Sequence, residues 1–218
     1  MDVLKRLDDA RAEINVLEHP FYQRWSAGEL GPQELALYAA EYRRAVVALA
    51  QESELAAADA DAAHAPGLRA HAREETEHIA LWEEFARATG AAAPERAPAP
   101  LAETAECVRS WTAGGDLLER LAVLYAIEAG QPEISTTKLD GLSAHYGYSD
   151  EGPATEYFSL HAVRDVEHAR HARDLIAELM AHAEDPQAQG ERMVRRASEA
   201  LRGNWQLLDG VEAHARRS

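Results

Sequence analysis

Residues 159–171 read SLHAVRDVEHARH and place His161, Asp165 and His168 at offsets of zero, four and seven. At about 100° per residue, a helix returns these positions to within about 40° of the first, so two imidazoles and a carboxylate share one stripe over two turns. Offsets of this kind belong to core-facing positions, where Leu is the expected residue. The alternative is a helix surface laced with charge pairs, because Arg164, Glu167, Arg170, His171 and Arg173 all lie within i, i+3 or i, i+4 reach of a partner. Three polar groups on a buried stripe incur a desolvation cost that stability alone does not explain, which points to a face that holds a ligand.

The helical reading extends outward from this stretch. Ala, Leu, Glu and Arg dominate, β-branched runs are nearly absent and apolar residues recur at helical spacing, so the fold class is all-α. Helices are expected at about 2–17, around FYQRWSAG after Pro20, over GPQELALYAAEYRRAVVALAQESELAAADA behind Pro32, and over LRAHAREETEHIALWEEFARATG up to Gly90. The stretch AAAPERAPAP, residues 91–100, carries three prolines and is expected to be a non-helical connector between two helical halves. Further helices are expected at about 101–113, 116–130, 132–146, 154–184 and 187–214. Residues 1–218 are expected to form a single domain, a bundle of seven to eight helices with ligand sites between facing helices.

Twenty-two Lys and Arg against 38 Asp and Glu give a net charge of -16, spread in mixed-sign stretches along the chain. That field repels phosphate backbones and anionic lipid, which argues against nucleic-acid and membrane-surface partners. The single cysteine, Cys107, cannot form an internal disulfide, and the N-terminal MDVLKRLDDARAEINVL lacks an uninterrupted apolar run. No stretch approaches the ~20 apolar residues of a membrane span, so a cytoplasmic location is expected.

Two other segments carry polar groups that a plain core would not contain. In EETEH, Glu75 and His78 form an i, i+3 pair and Glu74 and His78 an i, i+4 pair; alone, either reads as solvated surface. In LLERLAVLYAIEAGQPE, the run Leu121–Ile127 is apolar almost all round, and Glu128 follows directly in a segment that should be buried. An ion pair with an arginine, or a capped helix end before Gly130 and Pro132, would also account for Glu128. Together, three helices offer His78, His161, His168, one of Glu75 or Glu74, Glu128 and Asp165. Imidazole with carboxylate suits Fe, Mn or Zn, and six such ligands suffice for two metals with open positions.

The segments LEHPFYQRWSAGEL, EETEHIALWEEFARATG, LYAIEAGQPEISTTKLDGL and YFSLHAVRDVEHAR resemble the haem-oxygenase-like superfamily of TenA, the pyrroloquinoline-quinone synthase and the non-haem diiron oxidases, over about residues 10–210. The resemblance implies a haem-oxygenase-like (TenA-like) bundle. It also implies a metal ligand set of Glu75, His78, Glu128, His161, Asp165 and His168, with the first carboxylate open between Glu75 and Glu74 and Glu75 preferred. Within the diiron oxidases the chain is most similar to the branch that makes para-aminobenzoate, a folate precursor, by consuming a tyrosine of its own. That similarity implies Tyr22 of HPFYQRW as ring source, Lys138 as amino donor and Tyr157 as a further tyrosine near the site. Read without the resemblance, Tyr22 is an aromatic anchor near Trp25 and Lys138 a surface lysine in TTKLDG. Ile127 departs from the branch, which has a tyrosine before the lone glutamate, and the Glu and His of EETEH are more closely spaced, as in the fatty-acid-decarboxylating members.

The expected function is therefore O2 activation at two Fe, as Fe/Fe or Mn/Fe, with an external reductant, acting on the protein's own side chains. Tyr125, one turn before Glu128, is expected to orient the ligands. An alternative is a diiron oxidase that acts on an exogenous amino acid or fatty acid, by C–C or C–N cleavage or N-oxygenation. A metal-free TenA-like hydrolase needs a nucleophilic cysteine on a later helix than Cys107, and a purely interacting protein has no apolar docking stripe to support it. The resemblance also implies a homodimer.

Overall fold

Prolines and short polar caps open most of the helices. In the computed structural model, which describes residues 2–149 and 151–217, Asp2 accepts from the Leu4 amide ahead of α1 (Val3–Glu13), and His19 from the Phe21 amide ahead of α2 (Pro20–Ser26). Pro32 opens α3 (Pro32–Asp59), and Pro66 lies in the first turn of α4 (Ala65–Ala88). After α5 (Ala102–Trp111), Asp116 accepts from the Glu119 amide to start α6 (Leu117–Glu128), and Pro132 lies in the first turn of α7 (Gln131–His145). The last two helices are α8 (Glu156–Met180) and α9 (Pro186–Ala215), the latter capped by Asp185. Among the described residues there is no strand; eight helices have ten residues or more, and α2 adds two turns.

The first helix is shorter than expected. It ends at Glu13 because Ile14 leaves the helical region, at φ -117° and ψ 58°, and the Asn15 side chain accepts from the Leu17 amide to start a 3-10 turn, Val16–Glu18. An Asn that bonds its own neighbouring backbone offers the chain an alternative to the helix. The proline-rich connector holds one 3-10 turn, Pro94–Arg96, and is tied down where Glu41 accepts from the Leu101 amide at 3.0 Å.

One contiguous apolar core draws residues from all nine helices. Its centre is aromatic, with Trp25, Tyr38, Trp82, Phe85, Trp111 and Phe158 all at 1 % exposure or less. Burying each such ring contributes roughly 1.5–3 kcal/mol. Helix α6 runs through this core and is buried without interruption from Leu121 to Glu128, as its all-round apolar pattern demands. It packs on α8 and α9; α4 packs on α3 and α8, and α7 on α8 and α2. The polar faces of α4 and α8 and the end of α6 thus meet inside the bundle. No helix among the described residues is long and apolar enough to cross a membrane.

Candidate metal centre

Helix α4 carries His71, Glu75 and His78 at the same offsets of zero, four and seven that α8 uses for His161, Asp165 and His168. Glu128, the last residue of α6, joins the two stripes. Glu75, His78, Glu128, His161 and Asp165 are at most 4 % exposed and His168 is 9 %. The Glu75 Oε1 atom lies 3.2 Å from His78 Nδ1, 3.6 Å from His71 Nε2 and 3.8 Å from His168 Nδ1. His71 Nε2 is 3.0 Å from Glu128 Oε1, and His168 Nδ1 is 3.6 Å from Asp165 Oδ1. The donors form two groups that share Glu75, namely His71, Glu75 and His168, and Glu75, His78 and His161; within each group the ligand atoms lie within 4.8 Å of one another.

The outer edges of two of the imidazoles, on α8, are occupied. His161 donates Nδ1–H to the Tyr157 carbonyl at 2.6 Å, which leaves Nε2 free. His168 Nε2 meets Glu74 Oε2 at 3.1 Å, and Arg164 pairs with the same carboxylate at 2.8 Å. Glu74 therefore stands on the outside of α4, partly exposed, while Glu75 faces the cluster.

The inner atoms lack hydrogen bonds. Glu75 Oε1, both Glu128 oxygens, both Asp165 oxygens, His78 Nδ1, His161 Nε2 and His168 Nδ1 are buried without one, a state that ordinarily costs about 1–3 kcal/mol per atom. Burial, then Glu128 and Glu75, pushes the Asp165 carboxyl up to about 10. Burial above all, with the neighbouring charges of His78 and Lys138, drops His161 to about 4 despite the Glu75 charge. Burial works to raise Glu75 as well, but the close approach of His78 first, then the charges of His71 and His161, hold it down to about 2. Burial works to lower His71, yet Glu128 lifts it to about 9. Buried carboxylate oxygens and imidazole nitrogens crowded in this way are donors left without a hydrogen bond, and cations that accept both donor types fit the residues present.

Beside this cluster lies a closed aromatic chamber around Lys138. Its Nζ atom lies 4.9 Å from the ring centroid of Tyr42, 5.1 Å from Phe158, 5.4 Å from Tyr38, 5.5 Å from Trp82 and 5.6 Å from Tyr22. Lys138 is not the surface lysine that TTKLDG suggests: it is 0 % exposed, its Nζ has no hydrogen bond, and burial lowers it to about 7. The hydroxyls of Tyr22 and Tyr38 are 3.3 Å apart, and burial raises both phenols well above their ordinary value. Tyr22 is also no mere neighbour of Trp25, since it forms one wall of the chamber. Tyr157 stacks on His161 at 3.9 Å and meets Trp82 edge-on at 4.9 Å; Trp82 in turn lies 5.0 Å from Tyr42. The two sites thus share an aromatic partition.

The sequence reading passed over His71, Tyr38, Tyr42 and Trp82. His71 had a signal, because HAREETEH repeats the offsets of SLHAVRDVEH. Tyr125 does not approach the cluster through its hydroxyl, which donates to Asp8 Oδ1 at 2.5 Å and accepts from Arg173 at 2.8 Å, so it pins α6 to α1 and α8. Cys107 is fully buried on α5 and burial pushes its thiol up, which removes it as a nucleophile.

Comparison with known proteins agrees with this chemistry. Residues 69–205 match a protein family described as iron-containing redox enzyme. The chain is 32% identical to a 4-aminobenzoate synthase of Nitrosomonas europaea, with 95% of this chain and 89% of that protein covered. It is 31% identical to the 4-aminobenzoate synthase of Chlamydia muridarum, covering 89% and 86%. In fold it is similar to a haem-oxygenase-like domain from Shewanella denitrificans, with a TM-score of 0.80 at 18% identity over 99% of this chain and 94% of that one. A TenA homologue from Pseudomonas syringae gives a TM-score of 0.76 at 19% identity, covering 97% and 91%.

Proposed function

The chain belongs to the iron-containing redox enzymes, here on a haem-oxygenase-like fold, and on that premise we propose that it forms para-aminobenzoate from its own Tyr22, with Lys138 as the source of nitrogen. The observation that carries this reading is the Lys138 amine, 5.6 Å from the Tyr22 ring centroid in a sealed chamber next to a cluster of unbonded imidazole and carboxylate atoms. The relatives named 4-aminobenzoate synthase support it.

In this reading Glu75, His78, Glu128, His161, Asp165 and His168, joined by His71, would hold two metal ions, Fe/Fe or Mn/Fe. When bound, the metals supply the reduction of O2, with electrons from an external reductant. The Tyr157 carbonyl fixes the tautomer of His161, and Glu74 does the same for His168. Tyr38 holds the Tyr22 hydroxyl in place. Lys138 is uncharged above about pH 7 and so presents a lone pair to the chamber. Trp82, Phe158 and Tyr42 keep water out. A homodimer is part of the proposal and is read by sedimentation velocity.

The test is intact-protein and peptide mass spectrometry of iron-supplemented protein after exposure to reductant and O2, with para-aminobenzoate measured in the same sample. The expected result is at most one product per chain and a mass loss confined to Tyr22 and Lys138. An unchanged Tyr22 beside many turnovers overturns self-consumption. It would favour the second reading, an oxidase for an exogenous amino acid or fatty acid, for which one observation speaks: a pocket of about 430 Å³ that reaches His71, Glu128 and His168 from outside.

A further inference from the structure

That pocket lies between α4, α6 and α8. Leu68, Leu121, Leu124 and Leu175 form its walls, His71, Glu128 and His168 its floor, and His64, Asp174 and Glu178 its rim. On the side of His78 and His161 the cluster is closed by Tyr157 and Trp82, which are 3 % and 0 % exposed. The way in from solvent is therefore on the His71 side.

We propose that this pocket is the uptake route for divalent cations, with Asp174 and Glu178 as the capture point and the His71–His168 pair as the first inner landing. The inference rests on the metal-centre reading above and adds how the centre is filled. Three observations support it. The two rim carboxylates are 69% and 61% exposed and come from one face of α8, an i, i+4 pair above the floor, with Asp174 3.8 Å from the exposed Arg170 guanidinium and Glu178 3.2 Å from His64. The floor includes Glu128, whose two oxygens are buried and without hydrogen bonds. Among the described residues no Lys or Arg lines the pocket; its ionisable lining is imidazole and carboxylate, the donor types that pass a borderline cation from one to the next.

The mouth has its own closure. His64, ahead of α4, reaches across to Glu178 on α8 with Nε2 3.2 Å from Oε1, and holds Asp61 at 2.9 Å with its other nitrogen. A cation that arrives at Glu178 takes the place of the His64 ring, so capture at the rim also frees the mouth. The net charge of -16 draws cations to the molecule from further away, and rim carboxylates on an otherwise apolar opening concentrate that pull at one point.

The test follows binding of Co2+ to metal-free protein by its visible absorption in a stopped-flow instrument, with final stoichiometry measured separately. In the double variant Asp174→Asn with Glu178→Gln, uptake should slow by about tenfold or more at low salt while the end-point stays unchanged. Raising the ionic strength should slow the wild type more than the double variant, which keeps the rest of the negative field but lacks the rim carboxylates. Gly67→Trp provides a steric test: a Cβ at Gly67, which lines the pocket, meets nothing within 4 Å, so a large side chain there narrows the mouth without displacing the core. It too should slow uptake. Wild-type rates in both variants overturn the route, while wild-type protein that takes up no Co2+ at all overturns the metal centre itself. The charge variant changes only exposed side-chain ends outside the core and decides the matter if the tryptophan unfolds the helix.

Discussion

His161 donates its Nδ1–H to the Tyr157 carbonyl at 2.6 Å, a bond within one turn of α8 that leaves Nε2 bare in the group shared with Glu75 and His78. Backbone geometry thus selects the tautomer before any ligand arrives, and Tyr157, whose ring stacks on the imidazole, fixes the ring plane. Replacing His161 by Gln keeps most of the volume but removes the imidazole nitrogen. We expect Co2+ affinity to fall by at least about tenfold, read by titration of metal-free protein. Two cations bound as tightly as in the wild type would take His161 out of the ligand set.

Asp165 illustrates the cost of assembling such a site. Its carboxylate is 1 % exposed, without a hydrogen bond, and faces the charges of Glu128 and Glu75. Asp165→Asn removes one member of that crowd. The metal-free variant should melt higher than the metal-free wild type, by an amount on the order of 1–3 kcal/mol, while losing metal affinity. The opposite signs are the signature of a site that sacrifices stability for binding. A lower melting temperature in the metal-free variant would show that Asp165 is structural.

The all-α fold and the α8 stripe were readable because burial imposes a period on sequence, and polar residues at that period stand out. His71 obeys the same rule on α4, but with arginine and glutamate on either side in HAREETEH, only comparison with the α8 offsets distinguishes it from solvated surface. Lys138 was hidden by its type. The buried positions of α7 are Gln131, Ile134, Ser135, Lys138, Gly141 and Leu142, a regular helical stripe in which half the members are polar. Nothing local shows that five rings from α2, α3, α4 and α8 converge on the lysine. Tyr38 and Tyr42 are one turn apart on α3 and look like ordinary core residues until α7 is placed opposite them.

An uncharged lysine in that chamber has a measurable stability cost. With a value of about 7 when folded against 10.5 as the reference, the folded chain binds fewer protons than the unfolded one between those limits. Stability contributed at this position therefore rises with pH from about 7 to about 10.5 and is lowest at and below pH 7. Lys138→Met, similar in shape and free of charge, should raise the melting temperature most at pH 7 or below, with an upper bound of about 5 kcal/mol that fades toward pH 10.5. Metal content should not change, but para-aminobenzoate formation should stop. Equal stability of the two chains at pH 6 and pH 10 would show that burial does not lower the Lys138 amine in the folded protein.

Tyr22→Phe separates ring chemistry from packing. The substitution removes one hydroxyl whose partner is Tyr38 at 3.3 Å and leaves the aromatic wall in place. A stability loss of about 1 kcal/mol is expected, with two cations still bound. Product should fall below detection, because the reading above requires the phenol. Continued formation of para-aminobenzoate would move the ring source to another tyrosine of the chamber, and Tyr38→Phe is then the next variant to assay.

Gly141 offers a way to disturb Lys138 without touching it. Gly141 follows Lys138 by three residues on α7, and the two clasp Trp25: the indole N–H donates to the Lys138 carbonyl at 3.2 Å, and a Cβ on Gly141 would lie 2.5 Å from the indole ring. Trp25 is 0 % exposed and also packs against Tyr38 and Phe85, so it has little room to yield. Gly141→Ala must therefore push α7 away from α2, at a cost of typically 1–3 kcal/mol for overpacking, and carry the Lys138 backbone with it. The proposed ligands, on α4, α6 and α8, do not lie on α7, so Co2+ stoichiometry should hold while para-aminobenzoate formation drops by about tenfold or more, the penalty expected when a reacting group is displaced by a fraction of an ångström to an ångström. If product and metal content fall together, the substitution has disturbed the whole bundle, and the amine's placement against Tyr22 is not what limits the reaction.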